Sequence, residues 1–256
     1  MGKTRVNPLA DQLVEPLILV TKAKKLRFFN NILIGVNTMQ TIPIHFTRSQ
    51  AGTIAGSVTQ TTKMPCKSYS LPTVACITGF KMAKIPGSIC STCYANKGNY
   101  MMYANNIEPA QHARLDSLND PLWVDAMVSH IGSDSYFRWH DAGDLQGLWH
   151  LEKIATVAKL TPECMHWLPT REYSMVKQYI SKHGALPDNL IVRLSAMYVD
   201  KMVTIPASLQ NQANVTVSNV HTVTPMGLEC HAPKNKGQCG PCRACWGTKP
   251  VSYQAH

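Results

Sequence analysis

The stretch from Cys230 to Trp246 constrains this chain more than any other. It holds Cys230, Cys239, Cys242 and Cys245 in one loop punctuated by Gly and Pro, the last three spaced as C-x2-C-x2-C. A short loop of that spacing wraps a compact inorganic core and aims each sulfur at a different corner. Gly240 and Pro241 permit the tight turn that wrapping needs. Runs of this kind recur in iron–sulfur ligation, whereas tetrahedral zinc more often takes two separated C-x2-C pairs. The spacing predicts an iron–sulfur site with Cys230 as the returning fourth ligand. Zinc is the alternative, and a set of buried free thiols is the bland reading.

A second cysteine set lies far upstream. From Lys63 to Ala95 the chain is rich in turns, with Cys76 followed at a distance by the pair Cys90 and Cys93. The C-x2-C pair is a good bidentate element, and Cys76 completes a three-cysteine candidate. Cys66 either joins it or is an ordinary buried thiol. Cys164 stands alone before an apolar segment, where a small thiol packs well, and is read as a non-ligand. Nine cysteines and no evident secretory signal point to a reducing compartment, in which clustered thiols bind metal rather than pair. The apolar stretch Leu13 to Val20 is interrupted by Glu15 and Pro16, and no run reaches the length of a membrane span.

The formal charge of +10 hints at nucleic acid. Metal-bound thiolates reduce it: with both cysteine sites filled it falls toward about +7. Charge alone is therefore weak support for a nucleic-acid partner. Lys22, Lys24, Lys25 and Arg27, beside Phe28 and Phe29, read as a solvated face or a contact for a phosphate backbone.

Residues 1–60 carry little legible pattern, and residues 61–256 read as one domain. Asn119-Asp120-Pro121 predicts a helix start with Asp120 as N-cap, its apolar face carrying Leu122, Trp123, Ala126, Met127 and Ile131, and Gly132 ending it. Tyr136 to His140 reads as a strand. Leu148, Leu151, Ile154, Ala155 and Ala158 recur at helical spacing. Met165 to Leu168 is a strand, and Tyr173 to His183 a helix closed by Gly184. Asn189 to Ser195 and Asn214 to Asn219 are buried strands. Strand and helix alternate at the interval of βα units, which implies a parallel sheet. The fold class is α/β: parallel βα units forming a complete or incomplete TIM-like barrel, flanked on both sides by cysteine-rich irregular segments.

In such folds chemistry gathers beyond the carboxyl ends of the strands. The residues there are His140, Asp141, Gly143 and Asp144 after the first strand, and Thr170, Arg171 and Glu172 after the second. Ser195 to Met197 follow the third, and Asn219 to His221 the fourth. Asp144 reads equally as a cap on the next helix, Glu172 as a charge on its own first turn, and Arg171 as an ion-pair partner of Asp141. Together, His140, Asp141, Asp144 and Arg171 predict a pocket open to solvent. Arg171 is suited to carboxylate or phosphate, an aspartate to an amine, and His140 to proton transfer at neutral pH. No Walker loop, no G-x-G-x-x-G after a strand, no H-E-x-x-H and no nucleophile elbow is present.

Pro86 to Ala95, Arg138 to Leu145, Trp167 to Tyr173, Arg193 to Ala196 and Cys239 to Trp246 resemble a family of uncharacterised bacteriophage-encoded proteins known by a gene-product label. The resemblance covers about residues 63–254. It implies a 4Fe–4S or related iron–sulfur cluster on a barrel-like α/β fold, a phage origin and a location in the host cytoplasm. A more distant likeness is to radical S-adenosylmethionine enzymes. It implies that Cys76, Cys90 and Cys93 leave one iron open for that cofactor, that the tail holds an auxiliary cluster, and that Gly143-Asp144 lie beside the methionine part. The superfamily's C-x3-C-x2-C is here C-x13-C-x2-C.

Two functional readings follow. One is an iron–sulfur enzyme, of radical S-adenosylmethionine type, acting at the rim on a small molecule. The other is a non-catalytic iron–sulfur or zinc protein that binds nucleic acid or a host protein. Lys234, Lys236, Arg243 and Lys249 around the tail favour the second, and the polar rim the first. Whether rim and cysteines face each other decides between them.

Overall fold

A computed structural model describes residues 42–255, so the basic run Lys22 to Arg27 and the stretch Leu13 to Val20 lie outside the described residues. Strands β1 (Thr59–Gln60), β2 (Lys67–Tyr69), β3 (Tyr136–Trp139), β4 (Met165–Thr170), β5 (Leu190–Ser195), β6 (Val215–His221), β7 (Leu228–Glu229) and β8 (Val251–Gln254) form one sheet. Its order is β1-β2-β3-β4-β5-β6-β8-β7. β1 pairs antiparallel with β2, and every other neighbour is parallel. Among the described residues the sheet is open, with β1 and β7 at its edges. The parallel strands β2 to β6 follow one another without a reversal of order, so successive crossovers are laid down on the same side.

The helices are α1 (Arg48–Ala55), α2 (Ile77–Met82), α3 (Asn99–Met102), α4 (Ala104–Ser117), α5 (Trp123–Ile131), α6 (Leu148–Leu160) and α7 (Tyr173–His183). In the helix layer α1 packs on α5, α5 on α6 and α6 on α7. α1 opens with a capping box, in which the Thr47 hydroxyl accepts from the Gln50 N–H and the Gln50 side chain accepts from the Thr47 N–H.

Strand alternation divides the sheet into two faces. Phe137, Trp139, Leu168, Leu190, Val192, Leu194, Val215 and Val217 enter the core beneath the helices. His166 stands in the same layer: Trp139 Nε1 donates to its Nδ1 at 3.2 Å, and Thr161 Oγ1 lies 2.9 Å from its Nε2. On the other face the register aligns Arg138 with Trp167, and Pro169 with Arg193 and Thr216.

The alternation of strand and helix holds, with two shifts. The helix expected from Asp120 begins at Trp123, because Asp120 Oδ1 accepts the Leu122 N–H at 2.8 Å and caps a turn first. β4 runs on through Pro169 and Thr170, which pair with Arg193 and Leu194, so the loop after it begins at Arg171. β2 and β8, which carry no long apolar run, add a parallel strand on each side of the expected four.

Candidate functional site

The rim is built from loops that fasten one another. β3 gives way after Trp139 to His140, whose φ of 54° is left-handed and whose N–H donates to the Tyr69 carbonyl at 2.8 Å. Such a conformation costs about 1–2 kcal/mol in a residue with a Cβ, and the turn is held by contacts on both sides. Gly143, at φ 79°, passes so close to the end of β2 that a Cβ there would stand 2.5 Å from Leu71 Cβ. Only glycine fits both the angle and the space. The chain then delivers Asp144. Its Oδ1 accepts from the Leu145 N–H at 2.8 Å and from Thr170 Oγ1 at 2.6 Å, and its Oδ2 accepts the Arg171 N–H at 2.8 Å. Asp144 therefore staples the loop after β3 to the loop after β4. Burial pushes its pKa up to about 6, although those hydrogen bonds pull the other way.

The upstream cysteine segment is laid across this rim. Glu172 is buried and reaches the start of α2, where its Oε1 accepts the Thr78 N–H at 2.7 Å and its Oε2 the Thr78 hydroxyl at 2.9 Å. It thus sits at the first turn of another helix rather than of its own. Gln146 donates to the Ala75 carbonyl at 3.1 Å, and the Ile89 N–H to the Met197 carbonyl at 2.9 Å. The Tyr94 hydroxyl donates to the Asp141 carbonyl. Loops after β3, β4 and β5 so fix the segments bearing Cys76, Cys90 and Cys93. Gly79 packs against Cys76 and Cys90: a Cβ on it would stand 3.0 Å from Cys76 Cβ, with Cys76 Sγ at 3.5 Å and Cys90 Sγ at 3.7 Å.

The electrostatics tie these thiols to the rim side chains. Burial pushes Cys76 up to about 12, and Asp144, Cys93 and Cys90 add to the rise while Arg171 opposes it. Cys90 is raised by burial, with Arg171 as the strongest opposing charge. Arg171 donates from Nε to the Ala196 carbonyl at 3.1 Å, not to Asp141, and among the described residues its terminal nitrogens make no hydrogen bond.

Three of the expected rim residues are not open to solvent. His140 is 3 %, Asp141 6 % and Asp144 5 % exposed. The cysteine segment covers them, which corrects the expectation of an open pocket. Neither ring nitrogen of His140 has a hydrogen-bond partner among the described residues. Burial, with Arg138 second, lowers its pKa to about 3, so it is neutral at pH 7 rather than poised to titrate there. Asp141 keeps Oδ1 without a hydrogen-bond partner among the described residues, and its Oδ2 lies 3.3 Å from the Tyr100 hydroxyl.

The tail cysteines occupy a different place. Their loop lies against the sheet face that the helices leave uncovered. Trp246 meets Trp167 edge-on at 5.4 Å and Tyr136 at 5.2 Å, and its Nε1 donates to the Phe137 carbonyl at 3.0 Å. Arg193, fully buried, donates to the carbonyls of Val217, Ala244, Cys245, Gly247 and Lys249. Cys239 is raised by burial and then by Cys230, and Cys242 adds to the rise. Cys245 is raised chiefly by burial and also feels Cys230. The four predicted ligands are therefore neighbours. Cys242 is exposed, and Cys245 Sγ lies 3.3 Å from the Tyr253 hydroxyl. Arg138 stands between the two sets, its guanidinium 4.4 Å over Trp167 and donating to the Tyr94 hydroxyl at 3.3 Å. It also opposes the burial-driven rise of Cys66, Cys239 and Cys245.

All nine cysteines are free thiols. Cys66 borders the tail set, not the rim set, and burial pushes both it and Cys164 up to about 12. Among the described residues no three His, Cys, Asp or Glu side chains are arranged to hold a single metal ion. A cavity of about 300 Å³ opens at the other end of the strands, between Cys66, Lys67, Asp134, Tyr136 and Arg243, away from the rim.

Residues 45–248 match the family model described as Gene product 88. The chain belongs to the Gene product 88 family. This is a phage protein family. No curated protein and no solved structure matches the chain. The matched span takes in both cysteine sets together with His140, Asp141, Asp144 and Arg171. Residues that sequence reasoning passed over or placed otherwise are Glu172, bound to Thr78, and Arg193 beneath the tail. Their partners are 94 residues away for Glu172 and 24 to 56 residues away for Arg193, beyond the reach of any local pattern.

Proposed function

We propose that this chain is an iron–sulfur enzyme that acts at the rim on S-adenosylmethionine, its open sheet being the larger part of an incomplete barrel. One observation carries the reading: Cys76, Cys90 and Cys93 are fastened over the strand carboxyl ends beside Arg171 and Asp144. Three thiolates on a cluster leave one iron for an exchangeable ligand. The donor set suits a cluster better than zinc. Zinc draws its thiolates to about 2.3 Å from one ion, while a cluster is wider and spaces them further apart. The bound cluster would supply one electron for reductive cleavage of the cofactor.

The chain's own residues then have separate tasks. Arg171 presents its terminal nitrogens to a carboxylate. Asp144, both oxygens engaged, positions Arg171 by holding its N–H, which leaves Asp141 to meet an amine. Glu172 holds the Cys76 segment in place. His140 stays neutral and excludes water. The thiols must lose their protons to bind, so loading releases protons and is favoured at higher pH. The tail set, Cys230, Cys239, Cys242 and Cys245, is proposed as a second, structural site for an iron–sulfur cluster, with zinc as the alternative metal.

The test is anaerobic purification with iron and sulfide assays on wild type, Cys90→Ala and Cys242→Ala, followed by titration with S-adenosylmethionine. Each variant is expected to lose a different part of the metal. Wild type should bind and cleave the cofactor, and Arg171→Ala should lose binding with its iron intact. Full iron loading without binding or cleavage would leave the non-catalytic iron–sulfur protein as the better reading. Colourless protein with stoichiometric zinc would remove both.

A further inference from the structure

We propose that the outer surface of the cysteine segment binds single-stranded nucleic acid, which makes a nucleotide chain the substrate class of the rim. The choice of substrate rests on the rim reading, while the surface itself stands on its own residues. Residues 16–107 contain ten Lys or Arg and not one Asp or Glu. The segment that covers the rim lies wholly inside this stretch, so every Lys, Arg, Asp or Glu charge it presents outward is positive. Lys81, Lys84 and Lys97 are exposed on it. Asp141, Asp144 and Glu172 are buried beneath; the exposed acids at its margin include Asp200, which accepts from the Thr222 N–H and hydroxyl, and Glu108, in α4 beyond Tyr103.

The same surface exposes large rings that a folded chain ordinarily hides. Phe80 is 51 %, Tyr94 47 %, Tyr103 53 % and Tyr198 41 % exposed. Met101 and Met102 stand beside Tyr103 at 62 % and 71 %. These residues belong to one assembly, since Ser88 bridges Tyr198, Tyr94 packs on Tyr100 at 6.0 Å, and Lys84 lies 4.6 Å over Phe80. Aromatic faces among acid-free lysines provide base stacking and phosphate neutralisation together, which is how single strands are held without sequence preference. A duplex hides its base faces, whereas a single strand offers them to the rings and its phosphates to the lysines. An acidic protein would satisfy the lysines and leave the rings unused.

The experiment is fluorescence anisotropy of the full chain with a labelled mixed-sequence single-stranded oligonucleotide over a salt series. Single strands should bind more tightly than the same sequence as duplex. The Lys84→Glu, Lys97→Glu double variant should lower the salt slope by about 0.7 for each phosphate no longer neutralised. Tyr103→Ala, at an exposed position, should weaken binding by about five-fold or more. Poly-glutamate competing as well as the oligonucleotide would overturn the proposal in favour of generic polyanion binding. Capture of phosphatidylserine vesicles without oligonucleotide binding would overturn it in favour of a lipid surface. No binding at low salt would also overturn it. Iron content and cofactor cleavage, measured on the same preparation, report separately on the rim reading.

Discussion

The two cysteine sets differ in what holds them. At the rim, side-chain carboxylates do the holding: Glu172 on Thr78 and Asp144 on Thr170 and Arg171. In the tail, main-chain carbonyls converge on Arg193, and Trp246 is wedged between Trp167 and Tyr136. Carboxylate anchors on loops can release and reform one at a time. A buried guanidinium with five carbonyl partners cannot let go without leaving several unsatisfied groups. The rim set is thus held over the strand ends by separate anchors, and the tail set against the sheet by one shared clamp.

The sharpest way to break that comparison is Arg193→Leu. Each orphaned buried carbonyl costs about 1–3 kcal/mol, so a urea unfolding curve should show at least about 3 kcal/mol lost. A smaller change would mean that the tail is not clamped. Glu172→Ala should cost about 1–3 kcal/mol by leaving the Thr78 N–H and hydroxyl unpaired. Its effect should be local: hydrogen exchange should speed up over residues 73–83 while residues 244–254 keep their protection. Equal loosening of both would show one cooperative unit instead of two.

Acid should act mainly through buried histidines in the helix-side layer and at the rim. His166 is lowered by burial to about 4 and His140 to about 3, so between those values and 6.5 the unfolded chain binds more protons. Stability therefore falls as pH drops from 6.5 toward 4, by up to about 1.4 kcal/mol per pH unit for each proton. Asp144, raised to about 6 from 3.8, has the opposite sign over its range, because there the folded state holds the proton. Burial lowers His130 and His150 as well, so the histidines outweigh one carboxyl. His166→Asn should flatten the slope in a denaturation series, and an unchanged slope would remove His166 as its source. The smallest effect is expected from Cys242→Ala in metal-free protein. Its side chain is exposed, so stability should move by less than about 0.5 kcal/mol, while the same variant in metal-loaded protein should lose both metal and stability.

Legibility followed the range of the interactions. β4, β5 and β6 announce themselves as short apolar runs, and α7 ends where Gly184, at φ 80°, breaks it. β2 reads Lys67-Ser68-Tyr69 and has no such run; it becomes a strand because β3 pairs with it. The four tail cysteines are neighbours in sequence as in space. Cys76 reads as a partner of Cys90 and Cys93 despite the long gap, but the anchors that hold its segment, Gln146 on Ala75 and Glu172 on Thr78, lie more than 50 residues downstream. Asp144 reads equally as a helix cap and a rim residue because its partners Thr170 and Arg171 lie at the end of the next strand and on its loop.

The Arg193 clamp also imposes an order of events during synthesis. β5 carries its guanidinium into an inner face whose other wall, Ala244 to Lys249, and whose flanking strand β8 are made more than 50 residues later. Until that segment has emerged, a nascent chain holds a cation on an unfinished sheet surface with most of its acceptors missing. Helices α5 to α7 can settle on their side of the sheet in the meantime. The cysteine-rich tail is then the closing element of folding, and a chain arrested before Ala244 should remain dependent on chaperones.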